Sequence, residues 1–131
     1  MEHQTLIRLA KEARQKAYAP YSGFSVGAAL LTEDGRVYTG CNVENASFSP
    51  TCCAERVALF KAVSDGCRAF SAVAVVGGKG QETEPLCTPC GVCRQALAEF
   101  ADDSLCVILE SEDDLPRVLS LGELLPHRFV L

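Results

Sequence analysis

Hydrophobic positions follow a helical spacing at the start of the chain and then change to the pattern of β-strands. The helical spacing predicts an amphipathic helix over residues 3–17 and is carried by four apolar residues: Leu6, Ala10, Ala13 and Ala17. A mostly apolar run over residues 24–32 predicts a strand. Asp34-Gly35 is typical of a tight turn, so residues 36–41 are expected to return as the partner strand of a hairpin.

The rest of the chain alternates between helical and strand patterns. Helical spacing and start or stop signals predict three further helices: residues 53–65, 89–101 and 121–125. Short apolar or β-branched runs predict three further strands: residues 69–76, 105–109 and 115–119. The helix between the first two of these strands predicts a parallel, right-handed crossover, and the short link to the last strand predicts an antiparallel pair.

This order of elements predicts a single domain over residues 1–131. Its fold class is α/β, and we expect a three-layer α/β/α sandwich with a mixed five-stranded sheet and helices on both faces.

Composition and charge limit the kinds of molecule that the protein is expected to bind. Hydrophobic residues make up 48% and charged residues 22% of the chain, as in globular proteins. The net charge is -5, and seven acids but no Lys or Arg lie between Gln95 and Pro116, which disfavours binding to a nucleic-acid backbone. The apolar runs are too short to span a bilayer, and the N-terminus lacks the pattern of a signal peptide. We therefore expect a cytoplasmic protein without nucleic-acid or membrane partners.

Eight cysteines in a protein expected in a reducing compartment point to a metal or to catalysis rather than to disulfides. Cys53, Cys90 and Cys93 stand at predicted helix starts, where the helix dipole favours the thiolate that binds metal. The Cys-x-x-Cys spacing of the last two places both sulfurs on one side of a first helical turn. Three protein ligands leave the fourth position of a tetrahedral zinc open, which is typical of a catalytic site.

Charged residues beside these cysteines suit catalysis at such an ion. Glu55 follows Cys53 by two residues, and its carboxylate could move protons at the open position without being a ligand. Zinc with three thiolates has a net charge of about -1, which works against the deprotonation of water. Arg56 and Arg94 would draw electron density from the sulfurs and partly restore the acidity of the metal.

Three segments together resemble the cytidine deaminases of the small homotetrameric type: Cys53-Ala54-Glu55-Arg56, Pro89-Cys90-Gly91-Val92-Cys93-Arg94-Gln95 and Asn42-Val43-Glu44-Asn45-Ala46. The resemblance extends from Tyr18 to Pro126. It implies one Zn²⁺ per chain on Cys53, Cys90 and Cys93, with Glu55 as the proton shuttle, as in zinc deaminases generally.

The resemblance also implies a substrate, its contacts and an assembly. The substrate would be a small nucleoside, with cytidine and 2′-deoxycytidine hydrolysed to the uridines and ammonia in pyrimidine salvage. The implied contacts are Asn42 and Glu44 with the ribose hydroxyls, the Ala54 backbone and Glu55 with the base, and Phe24 beside the pyrimidine. In the implied homotetramer, Phe129 enters the site of a neighbouring subunit. One departure is Phe48, where the family commonly has Tyr.

Other functions fit parts of the same sequence. Cys87, Cys90 and Cys93 resemble part of an iron–sulfur pattern, and Cys52 or Cys53 as a fourth ligand would give a non-catalytic Cys₄ module. A deaminase of a cytosine nucleoside antibiotic would share the cysteine segments, but Asn42 and Glu44 favour an ordinary nucleoside. Editing of RNA or DNA is disfavoured by the net charge of -5 and the absence of Trp for base stacking.

Overall fold

Five strands form one mixed sheet in the computed structural model, which describes residues 1–131. The elements in chain order are α1 His3–Arg14, β1 Phe24–Thr32, β2 Val37–Cys41, α2 Ala54–Ser64, β3 Phe70–Lys79, α3 Gly91–Ala98, β4 Cys106–Glu110, β5 Pro116–Ser120 and α4 Leu121–Leu124. The strand order is β2-β1-β3-β4-β5, with β3 and β4 parallel and the other neighbours antiparallel. The predicted mixed sheet is confirmed.

Helices cover both faces of this sheet, because alternate residues of a strand face opposite sides. Val73 and Val75 of β3 pack in a buried cluster that also contains residues of α2, α3 and α4. Ala72, Ala74 and Val76 pack on the opposite face in a second cluster with α1. The predicted three-layer arrangement is therefore confirmed.

A glycine in β2 lets α2 lie directly on the sheet. A Cβ atom at Gly40 would lie 2.5 Å from the carbonyl oxygen of Ala54 and 2.6 Å from the backbone nitrogen of Ala58. No larger residue fits this gap without moving the helix, since such contacts are far shorter than van der Waals distances. Gly40 thereby fixes where α2 begins, and with it the position of Cys53.

Several element boundaries differ from the sequence prediction, and three of them, the ends of α1, α3 and β3, differ by three residues. α3 ends at Ala98 rather than at residue 101. α1 ends at Arg14 rather than at Ala17, and its buried face includes Arg14. β3 continues to Lys79 rather than ending at residue 76, because Gly77 and Gly78 pair with β1. The extension brings the end of β3 close to the start of β1.

The longest helix has 12 residues, so no helix has the length and apolar character that crossing a bilayer requires.

Candidate active site and metal centre

Two helix N-termini carry the three predicted metal ligands. Cys53 is the N-cap of α2 and Cys90 is the N-cap of α3, both with extended backbones and neither with a capping hydrogen bond from its side chain. Cys93 lies within the first turn of α3 and is fully buried. The sulfurs therefore lie at the positive ends of two helix dipoles, which favour thiolates.

The three sulfur atoms form a compact donor set. They all lie within 4.8 Å of one another, and the Sγ atoms of Cys53 and Cys90 are 3.9 Å apart. Two sulfurs bound to a tetrahedral zinc at about 2.3 Å are separated by about 3.8 Å. The arrangement thus fits one zinc ion, and it is the only group of three or more potential ligands in the structure that is this close.

Cys87 and Cys52 lie outside this group, which removes the fourth ligand that the Cys₄ alternative needs. Cys87 packs against the core, and its Sγ lies 2.8 Å from the place that a Cβ atom at Gly77 would occupy. Burial raises the pKa of Cys87 to about 11 and also raises that of Cys52. Both side chains are therefore protonated near neutral pH.

The electrostatics of the site favour a thiolate at Cys53. A hydrogen bond from the Cys93 thiol lowers the pKa of Cys53 to about 5, and the guanidinium of Arg56 assists it. Nη2 of Arg56 donates to the Cys53 sulfur over 3.4 Å. The same hydrogen bond raises the pKa of Cys93, because Cys93 retains the shared proton.

Arg94 makes different contacts from those expected of it. Its Nε donates to the carbonyl oxygen of Pro89 and its Nη1 to that of Leu124, both over 2.7 Å. No hydrogen bond joins Arg94 to a cysteine sulfur, unlike Arg56. The contacts of Arg94 fasten the start of α3 to α4, so its hydrogen bonds hold backbone and none of them reaches a sulfur.

Glu55, in the first turn of α2, is 4% exposed. Burial raises the pKa of its carboxyl to about 7, and the nearby charge of Cys53 adds to the increase. A carboxyl group with a pKa in this range can both accept and release a proton at physiological pH. The residue before it, Ala54, is fully buried and begins the helix.

Asn42 joins the loop after β2 to the first residues of β1. Its side-chain oxygen accepts from the backbone N–H of Val26, and its amide nitrogen donates to the carbonyl oxygen of Phe24, both over 2.8 Å. One N–H of the amide is left for another partner. Phe24, the first residue of β1, is partly buried.

Glu44 is held by the loop that precedes β1. Its carboxylate accepts from the backbone N–H groups of Tyr21 and Ser22, over 2.9 and 3.1 Å, and from the Ser22 hydroxyl. The hydrogen bond from that hydroxyl lowers the pKa of Glu44, so the carboxylate is ionised at neutral pH. Ser22 was not predicted as a site residue, because nothing in the sequence marked it except its place close to Tyr18, where the family resemblance begins.

Two phenylalanines remain on the surface of the chain. Phe129 is 68% exposed, and its carbonyl oxygen accepts a hydrogen bond from Gln95 over 3.2 Å. Phe48 is 72% exposed, contacts Tyr21 edge to face, and has a left-handed backbone with φ 62°. A bulky residue rarely adopts this conformation. These rings are exposed when the chain is alone.

We expect the loss of any one of the three clustered sulfurs to release zinc, because two thiolates cannot retain it as strongly as three. Cys53→Ala, Cys90→Ala and Cys93→Ala should each lower the zinc content measured by mass spectrometry after gel filtration. Cys67→Ala is the control, since Cys67 is a buried residue outside the cluster. Zinc lost from Cys87→Ala would contradict the three-sulfur site.

The site and fold match known proteins. Residues 1–109 match the family described as the cytidine and deoxycytidylate deaminase zinc-binding region. The chain is 50% identical over 129 residues to the cytidine deaminase of Sporosarcina psychrophila, covering 98% of this chain and 92% of that protein. It is 47% identical over 129 residues to the cytidine deaminase of Halalkalibacterium halodurans, covering 98% of this chain and 95% of that protein.

Solved structures agree with these sequence matches. The crystal structure of cytidine deaminase from Burkholderia pseudomallei is similar with a TM-score of 0.88 and 52% identity, covering 98% of this chain and 100% of that one. The crystal structure of cytidine deaminase from Mycobacterium tuberculosis has a TM-score of 0.85 and 40% identity, covering 100% of this chain and 99% of that one. With these matches and its cluster of three sulfurs, the chain belongs to the cytidine deaminase family.

Proposed function

We propose that this chain hydrolyses cytidine and 2′-deoxycytidine to uridine and 2′-deoxyuridine, with water consumed and ammonia released. The observation that carries this proposal is the convergence of the Cys53, Cys90 and Cys93 sulfurs beside the buried carboxyl of Glu55. When bound, zinc supplies the Lewis acidity that makes a water molecule acidic near neutral pH. The Arg56 contact and two helix N-termini offset part of the thiolate charge.

Glu55 is the residue that moves protons in this proposal. It takes a proton from the attacking water and places it on N3 of the pyrimidine. It then takes the remaining proton of that water from the hydroxyl now bonded to C4 and gives it to the leaving amino nitrogen, so that the C4 carbonyl forms as ammonia departs. Its pKa of about 7 supports this role, because the group can exchange protons in both directions without a large energetic penalty. Burial also keeps competing water away from the carboxyl.

The contacts of Asn42 and Glu44 support binding to ribose hydroxyls. Each side chain is held in place by backbone groups and retains hydrogen-bonding capacity, an N–H on Asn42 and an acceptor site on Glu44. A donor and an ionised acceptor together suit hydroxyl groups. Phe24 would lie beside the pyrimidine, and the Ala54 backbone together with Glu55 would bind the polar edge of the base.

The alternative functions have less support. A Cys₄ module needs a fourth sulfur, and neither Cys87 nor Cys52 lies in the cluster. The relatives that match over nearly the whole chain are named for cytidine, which favours that nucleoside over a cytosine nucleoside antibiotic. The net charge of -5 disfavours a polynucleotide substrate.

We propose further that residues 1–131 form one domain and that the protein is a homotetramer with shared active sites. The exposed rings of Phe129 and Phe48 support this assembly, since a neighbouring subunit would bury their apolar surface. The left-handed backbone of Phe48 also supports it, because such strain persists where a functional contact requires it. Phe129 would close over the pyrimidine of the next subunit.

A cytoplasmic location and a role in pyrimidine salvage complete the proposal. A reducing compartment keeps cysteine thiols available as metal ligands, which the three clustered sulfurs require. Salvage is the process that returns free nucleosides to use, and its substrates are the small molecules that the Asn42 and Glu44 contacts suit.

Ultraviolet absorbance during incubation with cytidine tests the reaction directly. We expect the spectrum to change from that of cytidine to that of uridine, with one ammonia per uridine. Removal of zinc by a chelator should stop the change, and added zinc should restore it. A zinc-loaded protein that leaves both cytidine and 2′-deoxycytidine unchanged would contradict the proposed function.

Replacement of Glu55 separates proton transfer from metal binding. Glu55→Gln retains the shape of the side chain but cannot carry a proton, so we expect kcat to fall by at least about 10²–10⁴-fold. Zinc content and the circular dichroism spectrum should match those of the parent. Turnover within a few fold of the parent would remove Glu55 from the mechanism.

Replacement of Phe129 tests the shared site. Phe129→Ala should raise the KM for cytidine and leave the zinc content unchanged, because the ring would cover the substrate and not the metal ligands. Light scattering should show a tetramer for the parent. A fully active monomer would overturn the shared site, and a tetramer with normal KM in Phe129→Ala would overturn only the role of Phe129.

A further inference from the structure

Arg14, the last residue of α1, is a buried cation without an acidic partner. It is 7% exposed, and none of the ion pairs in the structure includes it. A buried charge is costly unless other groups compensate it. Here the compensation comes entirely from neutral oxygen atoms.

Four oxygens from two separate segments surround the guanidinium of Arg14. Its Nε donates to the carbonyl oxygen of Ser25 over 2.9 Å. Its Nη1 donates to the Thr83 hydroxyl over 3.3 Å, and its Nη2 donates to the carbonyl oxygens of Gly80, over 3.2 Å, and Glu82. The planar guanidinium thereby joins the start of β1 to the segment between β3 and α3.

That segment, residues 80–90, is here called the ligand loop because it ends at Cys90. It folds back over the end of β3, where a Cβ atom at Gly78 would lie 2.1 Å from the carbonyl oxygen of Glu82. The N–H of Glu84 donates to the carbonyl oxygen of Gly77 over 2.7 Å. The N–H of Leu86 donates to the backbone carbonyl oxygen of Glu110 in β4 over 2.8 Å, so backbone hydrogen bonds also hold the part of the loop nearer to Cys90.

The other segment held by Arg14 carries the substrate side of the site. Ser25 lies between Phe24 and Val26, the two residues whose backbone groups bind Asn42. Arg14 and Asn42 therefore hold consecutive residues of β1, with Arg14 bonded to Ser25 and Asn42 bonded to its two neighbours. Arg14 also holds the first part of the ligand loop through three further hydrogen bonds, whereas Arg94 bonds only the carbonyl oxygen of Pro89 at the other end of the loop.

We propose that Arg14 is a positioning residue that sets the ligand loop, and through it Cys90, against the start of β1. The position belongs to the buried face of α1, where Leu6, Ile7 and Ala10 are apolar. Burial of the Arg14 guanidinium at this position costs hydration free energy, and an apolar side chain would avoid this cost. Its hydrogen bonds hold the segments that carry Cys90 and Phe24. The inference rests on the proposed zinc site but not on turnover.

Zinc affinity and loop cleavage test this role. Arg14→Lys keeps the charge but cannot reach four oxygens in a planar fork, and Arg14→Met keeps the length without donors. We expect both to weaken zinc binding by about 10–100-fold in competition with a chromophoric chelator, as for other groups that orient metal ligands. Glutamyl endopeptidase should cleave them faster than the parent after Glu82 and Glu84.

Two controls separate positioning from general stabilisation. Arg8→Met removes an exposed arginine of the same helix that pairs only with Glu12, and it should leave zinc affinity and cleavage unchanged. Ethylguanidinium added to Arg14→Ala should restore part of the zinc affinity, whereas ethylammonium at equal concentration should not. A residue that only stabilises the fold would not give zinc affinity this dependence on the guanidinium group.

Folded Arg14→Lys and Arg14→Met proteins with parental zinc affinity and parental cleavage rates would overturn the proposal. If these variants do not fold, Gly78→Ala provides the test, because its methyl group must move the carbonyl oxygen of Glu82, which accepts a hydrogen bond from Arg14, away from the guanidinium. It should weaken zinc binding and expose the loop, and parental values would overturn the proposal equally. A parent that binds zinc but does not deaminate cytidine contradicts the proposed function and leaves the role of Arg14 standing.

Discussion

Three sulfur atoms held within 4.8 Å of one another are the constraint around which the fold is arranged. The sulfurs come from two helices far apart in sequence, so both helices must begin at the same place. The topology achieves this because α2 precedes β3 and α3 follows it. α2 leads to the start of β3 and packs along the sheet, so α2 begins near the end of β3. α3 follows β3 and therefore begins near the same end.

Close backbone packing fixes the place where the N-termini of α2 and α3 meet. Because Gly40 has no side chain, the start of α2 packs directly against the sheet. Because Gly78 has none, the ligand loop packs directly against the end of β3. The local environments shift the pKa values of two neighbouring groups in opposite directions. Burial raises the pKa of Glu55 to about 7, while hydrogen bonds lower that of Cys53 to about 5. The same small volume thus provides a proton carrier and a thiolate.

The order of elements and the cysteine cluster could be predicted from sequence because local signals carry them. The apolar run of β3 and the Asp34-Gly35 turn appear in the structure, and α4 begins at the predicted residue, where Ser120 forms a capping box. Cys53 and Cys90 precede apolar helical runs, so their place at helix starts was also predictable.

Contacts made through backbone oxygens could not be predicted in this way. The partners of Arg14 and Arg94 are mainly carbonyl groups, which every residue carries and no sequence pattern marks. Arg94 was therefore expected to act on a sulfur, and Arg14 was passed over. The end of β3 was misplaced because glycines favour loops, whereas here Gly77 and Gly78 pair with β1 and Gly78 leaves room for the backbone of the ligand loop.

X-ray absorption at the zinc K-edge of the purified protein tests the central claim most directly, because it counts the atoms around the ion. Three sulfurs at about 2.3 Å and one oxygen or nitrogen at about 2.0–2.2 Å are predicted, since the fourth position must admit water. A shell of four sulfurs, with no lighter neighbour, would contradict an open catalytic centre on Cys53, Cys90 and Cys93.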